Sequence, residues 1–133
     1  MSLFSDVIDC INKERQKACL PALIRNDLLM QTAHQHAEFM DKKQTLSHQG
    51  ANGSSFDQRI HGVGYNFSTA AENIALGAVS ATGVVQMWME SPPHRANILN
   101  NKVTEVGIGI SPALPDTPDV SRYWSLTLAA PLG

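Results

Sequence analysis

The sequence has few charged residues, few cysteines and no long apolar run, and each shortage excludes a class of protein. Charged residues make up 17% of the 133 residues and the net charge is −2, which argues against a disordered chain and against a nucleic-acid partner. No segment approaches the roughly 20 apolar residues of a membrane span. We therefore expect one globular domain over residues 1–133, with residues 1–3 as a short leader and no membrane span.

Cysteine usage excludes a disulfide-rich scaffold, because Cys10 and Cys19 are the only cysteines. In one continuous helix they would lie about 13 Å apart on opposite faces. A disulfide needs Cα atoms within about 7 Å of each other. We therefore predict two free thiols.

Helical periodicity dominates the first two thirds of the chain. We predict a first helix that Ser5 or Asp6 caps and that runs to about residue 18, and a second that Asn26 or Asp27 caps and that runs to about residue 43. His36 lies in the apolar stripe of the second helix and is predicted to be a buried structural histidine. Further helical segments are predicted at residues 56–60, 72–76, 80–90 and 91–99.

The last third of the chain changes period. Val106, Ile108 and Ile110 alternate with glycines, and Trp124, Leu126 and Leu128 alternate with small polar residues, so both runs are predicted to be strands with one buried face. The proline-containing residues 111–121 between them are predicted to form a loop. Helices followed by strands, without βαβ alternation, indicate an α+β fold with an antiparallel sheet.

Four stretches, taken together and in this order, resemble the CAP superfamily, which includes cysteine-rich secretory proteins, antigen 5 and plant pathogenesis-related proteins. They match its bacterial, SCP-like branch. The stretches are Asn12-Lys13-Glu14-Arg15 with Leu20-Pro21-Ala22-Leu23; residues 33–40 with Leu46-Ser47-His48; Gly64-Tyr65 with Glu72-Asn73-Ile74-Ala75; and residues 88–99 with Glu105-Val106-Gly107-Ile108-Gly109.

This resemblance implies a three-layer α-β-α sandwich with a small antiparallel sheet, and a polar cleft that in family members often holds a divalent metal. Residue by residue, the cleft carries over to His48, Glu72 and His94. A second acidic residue does not carry over cleanly, since Ser91 occupies the expected position and Glu90 precedes it by one residue. Glu90 and Ser91 are therefore less certain members of the cleft.

Two imidazoles and one carboxylate are a suitable ligand set for Zn²⁺ with one open position, although the spacing of His48, Glu72 and His94 matches no compact metal motif. The alternative is that each makes only local contacts. Ser91 and His94 also invite a serine-hydrolase interpretation, but Ser91 precedes two prolines and is expected to use its hydroxyl as a helix N-cap. Gly107 and Gly109 are expected to allow close helix packing, and Trp88 and Trp124 to lie in the core.

The preferred hypothesis is a secreted or periplasmic binding module, a monomer whose cleft engages a small ligand, a lipid or a protein, with Zn²⁺ as the favoured metal if one is bound. A binding role is favoured over an enzymatic one, and no catalytic residue is assigned. Two alternatives stay open. One is a metal-assisted hydrolase with Glu72 as general base and both histidines as ligands. The other is a lipid-binding carrier, which would need an apolar groove between helices.

Overall fold

The computed structural model describes residues 2–114 and 121–133. Helices and strands are interspersed along the chain, and a 3-10 turn, Ala51–Gly53, precedes the third helix. The helices are α1 Leu3–Lys17, α2 Asp27–Lys43, α3 Phe56–Gly62, α4 Ala81–Met89 and α5 Pro92–Ile98, and the strands are β1 Ile24–Arg25, β2 Phe67–Leu76, β3 Glu105–Ser111 and β4 Tyr123–Pro131. Within this described part of the chain, no helix is both long and apolar enough to cross a bilayer.

The four strands form one mixed sheet in the order β1-β3-β4-β2. The two pairings that involve β4 are antiparallel, as predicted, but the short β1 pairs with β3 in parallel. The sheet is therefore antiparallel except for the pairing of β1 with β3. A strand is recognised in a sequence by alternating apolar and polar residues, and two residues are too few to show this pattern. β1 could therefore not be predicted.

Helices cover both faces of the sheet and produce the predicted three-layer α-β-α sandwich. On one face, α1, α4 and α5 pack against the sheet over the larger core, which contains Ile11, Trp88, Ile108 and Trp124. On the other face, α2 lies across β3 and β4 and α3 packs beside it. β3 and β4 are therefore buried on both faces, and the prediction of a single buried face for these two strands is wrong.

Gly107 and Gly109 lie where α2 approaches the sheet most closely. A Cβ atom built on Gly107 would lie 2.1 Å from the backbone carbon of Leu29, and one on Gly109 would lie 2.1 Å from the carbonyl oxygen of Ala33. The prediction that these glycines permit close helix packing is confirmed. The missing side chains of the two glycines therefore let the backbone of α2 lie directly against β3.

Several local predictions are confirmed. Asn26 caps α2 through its side chain, His36 is 1% exposed, and Trp88 and Trp124 lie in the core. Cys10 and Cys19 are free. Ser111 ends β3, and residues 115–120 of the predicted loop lie outside the described residues.

Three helix predictions need correction. The N-cap of α1 is Ser2, whose side chain accepts a hydrogen bond from the Ser5 amide, so the helix begins before Ser5 or Asp6 and inside the expected leader. Residues 72–76 form the end of β2 instead of a helix, because each is paired with β4. Ser91 occupies the N-cap position of α5 but makes no side-chain capping bond. The residue at the second helical position is Pro93, which has no N–H to donate.

Candidate functional site

The candidate site is built around a buried carboxylate on β2. The Glu72 side chain is only 2% exposed, and both of its oxygens accept hydrogen bonds. Oε1 accepts from Nη2 of Arg59 on α3, and Oε2 lies 2.9 Å from Nδ1 of His48, in the loop after α2. A buried carboxylate needs such partners, because burial without them would strongly disfavour its charged form.

His48 is the exposed member of this group, since 56% of its side chain is accessible to solvent. The hydrogen bond to Glu72 is the main cause of the raised pKa of His48. Because a carboxylate accepts, Nδ1 carries a proton in this pair and leaves Nε2 for an outside partner. Neutral His48 can therefore accept a hydrogen bond at Nε2, and protonated His48 can donate one there.

Arg59 holds the loop that carries His48. Its Nη1 atom donates to the carbonyl oxygens of His48, at 2.8 Å, and Ser54, at 3.0 Å, while Nη2 pairs with Glu72. One guanidinium thus joins α3, β2 and the loop after α2. Arg59 carries no signal in the sequence, because its spacing from His48 and Glu72 matches no recognised motif.

His94 lies on the first turn of α5 and is partly exposed. Its Nδ1 atom lies 2.9 Å from Oγ of Ser91, so the Ser91 hydroxyl contacts the imidazole instead of capping the helix. Burial lowers the pKa of His94, and the nearby charge of His48 lowers it further. The two histidines are therefore electrostatic neighbours whose pKa values are shifted in opposite directions.

Two asparagines fasten α5 to the strand that carries Glu72. The Asn73 side chain is fully buried and donates to the carbonyl oxygen of His94 at 3.0 Å. The Asn97 amide donates to the Asn73 side-chain oxygen at 2.8 Å. These bonds position the backbone of His94 beside Glu72. Both asparagines stand in stretches that resemble the CAP superfamily, but their place in the sequence indicates no role in the site.

Comparisons with known proteins show to which family the chain belongs. Residues 8–125 match the family described as CAP, the cysteine-rich secretory protein family. The chain belongs to the CAP family. It is 38% identical over 104 residues to the Bacillus subtilis protein YkwD and 30% identical over 104 residues to the B. subtilis membrane protein YlbC. These matches cover 77% and 78% of this chain but 40% and 30% of the two relatives, so this CAP domain spans less than half of their length.

Solved structures support the same fold. An extracellular protein with an SCP domain from Bacillus anthracis superposes with a TM-score of 0.86 at 23% identity, over 96% of this chain and 40% of that one. An outer surface protein of Borrelia burgdorferi superposes with a TM-score of 0.84 at 23% identity, over 99% of this chain and 97% of that one. At these identities the likeness establishes the fold of the CAP domain.

The less certain cleft residues are placed differently from each other. Ser91 contacts His94, as described above. Glu90 ends α4, accepts a hydrogen bond from Gln86 at 3.0 Å, and lines a separate surface hollow with the exposed Arg95. Of these two residues, only Ser91 contacts one of the three central side chains.

The His48, Glu72 and His94 side chains are not arranged as a three-ligand metal site. Within residues 2–114 and 121–133, no three His, Cys, Asp or Glu side chains are grouped as metal ligands. The Glu72 carboxylate already pairs with the Arg59 cation, and His48 uses Nδ1 for the same carboxylate. Binding of Zn²⁺ here stays a prediction, and it would require Glu72 to release a partner or the two imidazoles to act alone.

One groove of about 400 Å³ lies between α1 and α4, and a lipid carrier would need an apolar lining there. Three apolar side chains line it, Cys10, Val85 and Met89, and its other six lining residues are polar or charged. Such a lining does not favour an acyl chain, because polar groups lose their hydration when an apolar ligand covers them.

Proposed function

We propose that this CAP domain is a binding module of a protein that acts outside the cytoplasm, and that His48 and His94 contact an acidic group, a carboxylate or a phosphate, of its ligand. The observation that carries the proposal is the exposed imidazole of His48 above a buried Glu72–Arg59 pair. The extracellular and outer-surface proteins of similar fold support the location.

The charge balance of the site favours an anion. The Glu72 charge is already matched by Arg59, so protonation of His48 leaves the group with one net positive charge. Protonated His48 then presents an N–H donor at Nε2, and charge-assisted hydrogen bonds to carboxylate or phosphate are stronger than neutral ones. His94, with its lowered pKa, remains a neutral hydrogen-bonding partner beside it.

The sign of the pH dependence separates an acidic ligand from a metal. The pKa of His48 is raised, so anion affinity should be greatest below the pKa of His48 and should fall as pH rises through it. Zn²⁺ should behave in the opposite way, because protons compete with the metal for imidazole nitrogens. The two hypotheses therefore predict opposite slopes for the same histidines.

We would titrate inorganic phosphate and, separately, Zn²⁺ into the protein at several pH values while recording the imidazole NMR signals. The proposal expects saturable shifts of His48 and His94 with phosphate at acidic pH, weakening as pH rises. His48→Gln should remove most of the binding. His34→Gln is the matched control, since His34 is exposed and pairs only with Glu38 on its own helix.

Phosphate shifts that do not saturate, or that persist in His48→Gln, would contradict the proposal. Tight Zn²⁺ uptake that strengthens with pH would instead support the metal-binding alternative. The hydrolase alternative has less support. Both Glu72 oxygens already accept hydrogen bonds, so neither is free to act as a general base. Pro92 and Pro93 have no N–H groups, so the backbone after Ser91 lacks two donors that could stabilise an oxyanion.

A further inference from the structure

A second cavity, of about 290 Å³, lies between α2, α3 and the 3-10 turn. Its lining includes Arg59 but none of His48, Glu72 and His94. It is therefore a separate site that shares one residue with the site above. Its volume lies near the lower end of the range for small-molecule pockets.

The walls of this cavity combine neutral polar groups with an apolar side. Gln31 and Gln35, one turn apart on α2, supply amides that both donate and accept hydrogen bonds, and Ser54 supplies a hydroxyl. Phe39 and Val63 supply apolar surface. A ligand that fits must have hydrogen-bonding groups on one side and C–H surface on the other.

The charge of the cavity is already balanced. Arg59 is the one ionised side chain in the lining, and its guanidinium pairs with Glu72. An anionic ligand would compete with Glu72 for Arg59, and a cationic ligand would be repelled by the guanidinium. A neutral ligand avoids both costs.

Neither ring nitrogen of His36 is available to an occupant of the cavity. Nε2 of His36 donates to the carbonyl oxygen of Ser47 at 2.7 Å, so Nδ1 is the unprotonated, accepting nitrogen. That Nδ1 atom is buried without a hydrogen-bond partner in the described structure. Because almost none of the Nδ1 surface is accessible even to water, a hydroxyl in the cavity does not reach this atom, and His36 contributes only ring surface to the lining.

We propose that this cavity binds a neutral monosaccharide ring. A pyranose has hydroxyls that donate and accept, which suit Gln31, Gln35 and Ser54, and a C–H face that suits Phe39 and Val63. It carries no charge to disturb the Arg59–Glu72 pair. The site is independent of the acidic-ligand site around His48, and either can exist without the other.

The test is a titration of ¹⁵N-labelled protein with glucose and with N-acetylglucosamine, followed through the side-chain amide signals of Gln31 and Gln35. We expect saturable shifts and saturation transfer to the sugar. Gln35→Leu, at an exposed position, should weaken binding about tenfold by removing its hydrogen bonds. Ala51→Trp, at an exposed position in the lining, should fill the cavity and abolish binding.

Ala22→Trp is the matched control, since Ala22 is exposed and lies outside this lining, and it should bind sugar as the wild type does. Glucuronate and glucosamine, which carry a negative and a positive charge, should bind more weakly than glucose. Shifts that stay linear with sugar concentration, or that survive Ala51→Trp, would mean a water-filled hollow and would overturn the proposal. Preferred binding of glucuronate would equally overturn it.

Discussion

At the scale of single residues, the site depends on how one buried charge is matched. Glu72 is held by Arg59 on one oxygen and by His48 on the other, and the same guanidinium fixes two carbonyl oxygens of the loop. The sequence could supply His48, Glu72 and His94, because they stand in motifs that resemble a known family. It could not supply Arg59, because only the folded chain brings residue 59 to residue 72.

Arg59→Met should therefore be strongly destabilising. It leaves the Glu72 carboxylate buried without its cation, and breaking a buried ion pair by removing one partner costs about 3–5 kcal/mol. Urea denaturation at neutral pH measures the change, since urea does not screen charges. Adding Glu72→Gln to Arg59→Met should recover part of the loss.

The control for this measurement is Lys17→Met, which removes the cation of the Lys17–Glu14 pair. Lys17 is 74% exposed, and exposed pairs are worth about 1 kcal/mol at most. If Arg59→Met and Lys17→Met lower the free energy of unfolding equally, the Arg59–Glu72 pair does not hold the site together.

At the scale of elements, the helices were more predictable than the strands. Asn26 and Ser80 signalled the starts of α2 and α4 because their side chains cap the first turn. The prediction of a helix at Glu72–Leu76 is wrong because successive residues of β2, from Glu72 to Ala75, are all buried. A strand that is buried on both faces lacks the alternation of apolar and polar residues that marks a strand in sequence. Glu72, Ala75 and Leu76 are good helix formers, and pairing with β4 overrides that preference.

The end of α1 is a feature that could be predicted from the sequence. Cys19 has a positive φ of 60°, and the amides of Cys19 and Leu20 donate to the carbonyl oxygens of Gln16 and Arg15. This is the pattern in which glycine often terminates a helix. The end of α1 at Lys17 agrees with the predicted end near residue 18, and Pro21 follows it.

The contact between α2 and β3 gives a sharp prediction. Gly109→Ala would place a Cβ atom 2.1 Å from the carbonyl oxygen of Ala33, so the helix backbone itself must move. Overpacking of this kind costs about 1–3 kcal/mol or more, measured as a lowered urea midpoint. Gly107→Ala should behave in the same way, through the backbone of Leu29.

Gly62→Ala is the matched control, because a Cβ atom there would meet nothing within 4 Å. It should be neutral or stabilising by about 0.4–1 kcal/mol, since alanine loses less backbone entropy on folding. Equal effects of Gly109→Ala and Gly62→Ala would show that α2 does not press on the sheet.

At the scale of the whole molecule, the fold class was predictable and the depth of burial was not. The order of helices and strands, with the resemblance to the CAP superfamily, predicted a three-layer sandwich, which the structure and the CAP match confirm. The glycines of β3 have no side chains, and this makes room for α2 on one face of the sheet. Helices can therefore cover β3 and β4 on both faces. The cores on the two faces of the sheet hold the described residues together without any disulfide.

The reactivity of the two thiols measures whether the protein is folded. Burial raises the pKa of the Cys10 thiol, and Cys10 is half-buried, whereas Cys19 is exposed. In the folded protein, Cys19 should therefore react quickly with a thiol reagent and Cys10 slowly, because the thiolate is the reactive form. Cys19→Ser should remove the fast phase and leave the slow one, and Cys10→Ser should do the reverse.

Unfolding in urea without reductant should then release two reactive thiols per chain, and reductant should leave the unfolding midpoint unchanged. Both results follow from stability that depends on packing over the two faces of the sheet instead of a cross-link. Recovery of a peptide in which Cys10 and Cys19 are linked would contradict the structure. Such a bond would require α1 to end well before residue 17, and the buried Arg15, which donates to Pro21 and Ile98 from the last turn of α1, would lose those contacts.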